Sequence, residues 1–345
     1  MTHASKHSND APPTFIQNKS HLMKTSSDRD SLLQRQPCSK EIYQNKIALT
    51  FDDLPAVVYR EDQYDLHMSQ VIHDLVRTLT HANVPAIGFV NECYLCGGET
   101  ANINIYDPRK VRLLETWLDA GLCLGNHTFS HISLNKIDSV EDYKKDVIRG
   151  ETIIKRLAKK RGNNIIYFRH PYLDTGGNWE NRNEINSFLA SHHYTVAPVT
   201  ILTHDYKFAL AYDLASARND ISAATTIRSH YLKNIISSVE YYKNISLDIF
   251  ERDISHVLLL HANIINADCI EQIIYEIGCR GYEFVTLEEA LRDPVYALDD
   301  SYIGPGTGWM ERWSSLRGYQ PGHATPHVPT YINNLFRDYQ NIASP

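Results

Sequence analysis

From Lys46 onward the chain alternates short apolar runs with longer amphipathic stretches, and that alternation leaves few folds open. The runs are Ile47–Phe51, Val84–Val90, Leu122–Leu124, Ile165–Phe168, Tyr194–Ile201, His256–Leu260 and Tyr282–Thr286. Between them, His67–Ala82, Arg109–Ala120 (closed by Gly121), Val140–Arg161 and Leu214–Asp253 carry helical spacing. Asp138 and Glu141 stand at the spacing of a capping-box variant before the third of these helices. Short strands alternating with helices imply a parallel sheet with helices outside it, and about seven such units favour a barrel over an open sheet. The expected fold class is therefore α/β, a barrel over residues 45–295. Residues 1–44 are polar and aperiodic and are expected to form a disordered or loosely attached arm. Residues 296–345, rich in Gly, Trp and Tyr, are expected as a C-terminal extension packed on the barrel.

Composition narrows the function classes. A net charge of −7 over 345 residues offers no basic face for phosphates, which argues against a nucleic-acid partner. The run Lys155–Arg161 reads as the last turn of a helix before Gly162, where positive charge suits the helix dipole. Six cysteines in a chain of this length make no dense disulfide framework. Cys93-x-x-Cys96 has no second CxxC to complete a zinc site, and it reads as a loop after a strand. No apolar stretch is long enough for a membrane span, and the first forty residues lack the apolar core of a signal peptide. As written, the chain is expected in the cytoplasm, and it carries no signal for an oligomeric state.

Residues of catalytic type follow strand after strand. Asp52 and Asp53 follow the first run, His127 the third, Arg169 the fourth, Asp205 the fifth and His261 the sixth. In a parallel barrel those strand ends converge on one face, where active sites form. His127 and His131 are four apart; on a helical turn both imidazoles would share one side, at a separation that can hold one metal ion. Thr128 stands where the HExxH of zinc proteases has its glutamate base, so a base and a third ligand must come from elsewhere. The adjacent carboxylates of Asp52 and Asp53 can supply both, one binding a metal and the other accepting a proton. Seventeen histidines, a high count for an acidic protein, fit the same reading.

LTFDDLP (Leu49–Pro55), GNHTFSH (Gly125–His131), FRHPYLDTG (Phe168–Gly176) and LLLHANIINAD (Leu258–Asp268) together resemble four of the five motifs of the NodB-homology polysaccharide deacetylases, carbohydrate esterase family 4. They stand in the family's order and span most of residues 46–295. The resemblance implies a distorted (β/α) barrel of about seven strands. It implies that Asp53, His127 and His131 bind one divalent metal, zinc first, with cobalt, nickel or iron as alternatives. It implies Asp52 as general base, oriented by Arg169, and His261 as general acid, with Asp268 as a candidate to orient it. The backbone N–H of Tyr172 would help stabilise an oxyanion.

The fourth motif departs from the family pattern. In VTILTHDYKFA (Val199–Ala209), Leu202 replaces the first acidic residue and Tyr206 the tryptophan, while Asp205 remains. That segment shapes one wall of the family's groove, so the departure bears on substrate choice. The activity implied is removal of acetyl groups from N- or O-acetylated carbohydrate, cleaving a non-peptide carbon–nitrogen bond in the first case. Two alternatives keep the fold: hydrolysis of another C–N bond in a small cyclic imide or allantoin-like amide, or a catalytically silent carbohydrate-binding barrel.

Overall fold

The computed structural model describes residues 45–60, 64–97 and 105–343, so the expected arm 1–44 lies outside the described residues. The architecture below is that of the described residues within the unit Cys38–Pro345. Its strands are β1 (Asn45–Leu54), β2 (Ala86–Val90), β3 (Cys123–Asn126), β4 (Tyr167–Phe168), β5 (Thr195–Val196), β6 (His256–His261) and β7 (Tyr282–Phe284). All pair in parallel in the order β5-β4-β3-β2-β1-β6, with β7 on the first residues of β1. A bridge from Ile201 to Leu258 joins the two edges, sealed by Leu259 N–H donating to the Ile201 carbonyl at 3.1 Å. The fold is an α/β distorted barrel of parallel strands.

Around it lie α1 (Tyr64–His81), α2 (Pro108–Asp119), α3 (Val140–Arg149), α4 (Thr152–Lys159), α5 (Trp179–Ser191), α6 (Asp205–Ala217), α7 (Ile221–Phe250), α8 (Ile264–Gly278) and α9 (Leu287–Ala290). The period-two alternation of strands sorts the core. Along β1, Ile47, Leu49 and Phe51 join the large cluster with residues of the helices, such as Leu75 and Trp117. Ala48 joins a smaller cluster with Ile87, Phe89, Ala197 and Val257. By the same alternation Thr50 and Asp52 share Ala48's face of the sheet. Past the barrel, α10 (Trp309–Leu316) and α11 (Thr330–Ala343) are anchored by buried Met310, Trp313 and Ile332. Among the described residues no helix is long and apolar enough to cross a membrane.

Three local expectations change. The single helix expected over Val140–Arg161 is broken into α3 and α4 at Gly150. A side chain on Gly150 would come within 2.4 Å of the Thr128 backbone, so the break lets the chain pass against the His127–His131 loop. The N-cap of α3 is Ser139, not the Asp138–Glu141 box. The strand expected over Tyr194–Ile201 keeps only Thr195–Val196 as β5. The carbonyls of Ala197 and Pro198 instead accept from the Arg169 guanidinium, at 3.4 and 3.2 Å. The long helix expected from Leu214 is two, since α6 starts at Asp205 and α7 restarts after Asn219 (φ 52°), capped by Asp220.

Candidate active site

Register brings the strand ends together. Asp52 pairs with His261 across β1 and β6, Val90 with Asn126 across β2 and β3, and Asn126 with Phe168 across β3 and β4. Each candidate side chain therefore leaves the sheet at nearly the same height. The register slips between Phe51 and Leu54, and Asp53 takes φ 63° within that bulge. The extra turn of backbone overcomes the alternation that would otherwise send neighbouring carboxylates to opposite faces.

His127 and His131 do not lie on a helical turn. They sit in a loop after β3, with Thr128 at φ 66° and His131 at φ 58°. Polar side chains hold this strained backbone: Asn126 Oδ1 accepts from Thr128 N–H at 2.8 Å, and the Asp146 carboxylate of α3 accepts from Ser130 N–H at 3.0 Å. The Thr128 hydroxyl accepts from His131 N–H at 3.1 Å. The two imidazoles end with centroids 5.0 Å apart.

Asp53, His127 and His131 form one cluster. Asp53 Oδ1 lies 3.6 Å from His127 Nε2 and 3.5 Å from His131 Nε2. One ligand atom from each of the three lies within 4.8 Å of the others. Asp53 Oδ1 is buried and has no hydrogen-bond partner among the described residues, a costly state for a carboxylate oxygen unless a cation meets it. His127 Nδ1 lies 2.7 Å from the Arg169 carbonyl; since a carbonyl only accepts, the proton is on Nδ1 and the Nε2 lone pair faces the cluster. Burial, with the neighbouring His131, pushes the His127 pKa down to about 3, keeping the ring neutral as a metal ligand must be. The residues present fit one divalent ion.

Asp52 is set differently. Its Oδ1 accepts from Arg169 Nη1 at 2.8 Å, while Oδ2 stands 3.7 Å from His127 Nε2, beyond hydrogen-bond reach. Arg169 is fully buried, its guanidinium 4.2 Å over the Phe89 ring and its Nη1 also donating to Thr50 Oγ1 at 2.6 Å. Thr50 and Phe89 carry no catalytic signal in the sequence, yet both lie in strands at positions facing the same side as Asp52.

His261 is held by Asp205. The Asp205 carboxylate accepts from His261 N–H at 2.7 Å and from its Nδ1 at 2.9 Å, and from the side-chain amides of Asn263 and Asn266 at 3.1 and 2.7 Å. The expectation that Asp268 orients His261 is corrected: Asp268 accepts from the Tyr212 hydroxyl at 2.8 Å and pairs with Arg228. Its place on α8, one turn in, turns it towards α6 and α7. Burial opposes charge on His261, but the Asp205 carboxylate outweighs it and raises the pKa to about 10. Asp205 itself is held below the usual carboxylate range against its burial, by the His261 charge and hydrogen bonds.

Aromatic rings flank both sides. Tyr172, more than half exposed and at φ 57°, meets His131 edge-on at 4.5 Å. Tyr206 meets His261 edge-on at 6.0 Å and Phe336 of α11 at 5.1 Å. The Tyr59 hydroxyl donates to the Tyr206 carbonyl at 2.9 Å. Cys93, in a short 3-10 turn over Glu92–Leu95, and Cys96, which caps that turn, are free thiols, and burial pushes Cys93 up to about 12, where a thiolate is scarce.

Residues 40–196 match the family model described as polysaccharide deacetylase. Among solved structures, a mutant family 4 carbohydrate esterase pseudoenzyme with restored activity is 15% identical (TM-score 0.47), over 72% of this chain and 68% of that one. A family 4 carbohydrate esterase from Streptomyces lividans is 17% identical (TM-score 0.43, 69% and 91% covered). The peptidoglycan deacetylase PdaC from Bacillus subtilis, in mutant form, is 22% identical (TM-score 0.45, 72% and 92% covered). No curated protein matches the sequence. With the family match running through the first three motifs, this chain resembles the NodB-homology polysaccharide deacetylases.

Proposed function

We propose that this protein is a metal-dependent deacetylase that removes acetyl groups from N- or O-acetylated carbohydrate. What carries the reading is the division of labour between two neighbouring aspartates. Asp53 has an unpartnered oxygen beside two imidazole nitrogens, while Asp52 is tied to a buried arginine and keeps its second oxygen free. A divalent ion held by Asp53, His127 and His131 would supply Lewis acidity towards a carbonyl and acidify a water. Asp52 then takes the proton from the attacking water through Oδ2, with Arg169 fixing its direction. His261, protonated and with Nδ1 held by Asp205, delivers a proton from Nε2 to the departing nitrogen or oxygen. The Tyr172 N–H serves the oxyanion. Separate residues for acid and base let each keep the protonation state its own step needs.

The test is a purified sample assayed for bound metal and for acetate release from a panel of N- and O-acetylated sugars, with and without chelator. Bound metal and chelator-sensitive acetate release are expected, with activity restored by adding zinc, cobalt or nickel. Bound metal with turnover of cyclic imides and no acetate would move the substrate to small amides. No metal, with sugar affinity kept, would leave a binding barrel.

A pH profile tests the acid. Because Asp205 raises the His261 pKa to about 10, the acid form persists through neutral pH. Asp205→Asn removes that charge, so the alkaline limb of kcat is expected to move to lower pH; an unmoved limb would take His261 out of the role. The same pairing contributes stability that is fully present below the usual histidine value of 6.5 and is lost as pH rises through about 10.

A further inference from the structure

The loop that carries Tyr172 is strained, and it is gripped from outside the motifs. Tyr172 and Leu173 are consecutive non-glycine residues at φ 57° and 56°, a conformation that persists only where surroundings enforce it. Ser133 and Asn135 hold Asp174 from the loop after His131, and further contacts come from the segment between α9 and α10 and from α10 itself. Arg312 is fully buried, its Nη2 donating to the Leu173 carbonyl at 2.7 Å and its Nη1 to Thr175 Oγ1 at 3.0 Å. Asp300 pairs with the same Nη1 at 2.9 Å and with Arg182 of α5 at 2.8 Å, while Trp309 stacks 4.0 Å from the Arg312 guanidinium. Gly306 N–H donates to Asp174 Oδ1 at 2.7 Å. Its backbone packs so tightly that a Cβ there would stand 2.0 Å from the Tyr172 carbonyl oxygen and 2.9 Å from Asp174 N.

We propose that Asp300, Gly306 and Arg312 form a clamp on the two peptides that follow Tyr172, fixing the backbone angles of residue 172 and through them the direction of its own N–H, which belongs to the preceding peptide. These are positioning residues, acting through the 171–175 backbone, and the role in turnover rests on the deacetylase reading above. The physical argument is one of direction. A peptide N–H is useful to a developing oxyanion only when its donor is already aimed, and left-handed backbone at two adjacent L-residues does not hold an aim unaided. Arg312 takes the carbonyl that follows Tyr172, and Gly306 leaves no room for the Tyr172 carbonyl to swing. Turning either peptide would break a buried charged hydrogen bond or cause a backbone clash. Residues 300–312 lie outside the stretch 40–196 that matches the family.

The test uses the full-length, metal-loaded protein with Gly306→Ala, Arg312→Lys and the distant control Gly322→Ala, where an added Cβ meets nothing within 4 Å. Gly306→Ala is expected to lower kcat by about ten-fold or more, the cost of a misplacement on the order of 1 Å, with KM within about two-fold. Metal content should stay near wild type, and the melting temperature should fall by no more than a few degrees, so that the variant is fully folded at the assay temperature. Amide hydrogen exchange at residues 172–175 should quicken in both clamp variants while β1 and β6 stay protected, and Gly322→Ala should change neither measure. An unchanged kcat, or a fall in kcat that only follows a fall in melting temperature, would overturn the clamp. If Arg312→Lys does not fold, Gly306→Ala decides alone. Should the wild type release no acetate from any substrate, the deacetylase reading fails on that result. The exchange measurement then judges the clamp by itself, and unchanged protection at 172–175 overturns it.

Discussion

Asp52→Asn is expected to keep its full metal content and to lose roughly 10²- to 10⁴-fold in kcat, the range set by a positioned proton acceptor. The substitution is nearly isosteric. The side-chain oxygen of the new residue still accepts from Arg169 Nη1, now 2.8 Å away, so the strand end keeps its shape. What disappears is the second oxygen, replaced by an amide nitrogen with no lone pair for a proton. Asp53, His127 and His131 are untouched, so metal analysis of the purified variant should match wild type. Turnover within a few-fold of wild type would remove Asp52 from the mechanism. His127→Ala provides the contrast, with the metal itself expected to be lost.

Arg169→Met should show mainly as lost stability, about 3–5 kcal/mol by chemical denaturation, because it leaves the Asp52 carboxylate buried without its partner. The arginine and the carboxylate are both almost wholly inaccessible, so water cannot take over the missing role. Thr50 Oγ1 and the Ala197 and Pro198 carbonyls lose a hydrogen bond in the same change. The double variant Asp52→Asn/Arg169→Met separates these contributions. Removing the stranded charge should recover part of the loss, leaving the cost of the unmade hydrogen bonds and the altered packing over Phe89. A single variant within about 1 kcal/mol of wild type would mean that the pair is far better solvated than its burial indicates.

How much of this was legible in the residues follows from the distance over which each feature is decided. The strand positions and the polar residues directly after them are local, written as apolar runs ending in Asp, His or Arg, and the parallel barrel follows from their alternation with helices. Features that depend on residues far apart in sequence were not legible. Asp205 and His261 are 56 residues apart, and nothing in either segment says that Asp205, rather than the nearer Asp268, would take the imidazole. The break at Gly150 is invisible in a helical pattern until the His127–His131 loop is seen against it. The loop itself runs against helical spacing because Asn126 and Asp146 hold left-handed residues in place.

Period and residue type alone establish the α/β class, the strand ends on which chemistry could sit, and the groups gathered there: three carboxylates, two histidines four apart, an arginine and a distant third histidine. Those follow from period and composition, which act over a few residues. The tertiary structure decided which partner each group has. The bulge at Asp53 turned one carboxylate towards the imidazoles, burial of Arg169 fixed the other, Asp205 claimed His261, and the C-terminal segment closed on the Tyr172 loop. Those assignments depend on desolvated hydrogen bonds between distant segments, and such bonds take on direction and strength only after the barrel has closed around them.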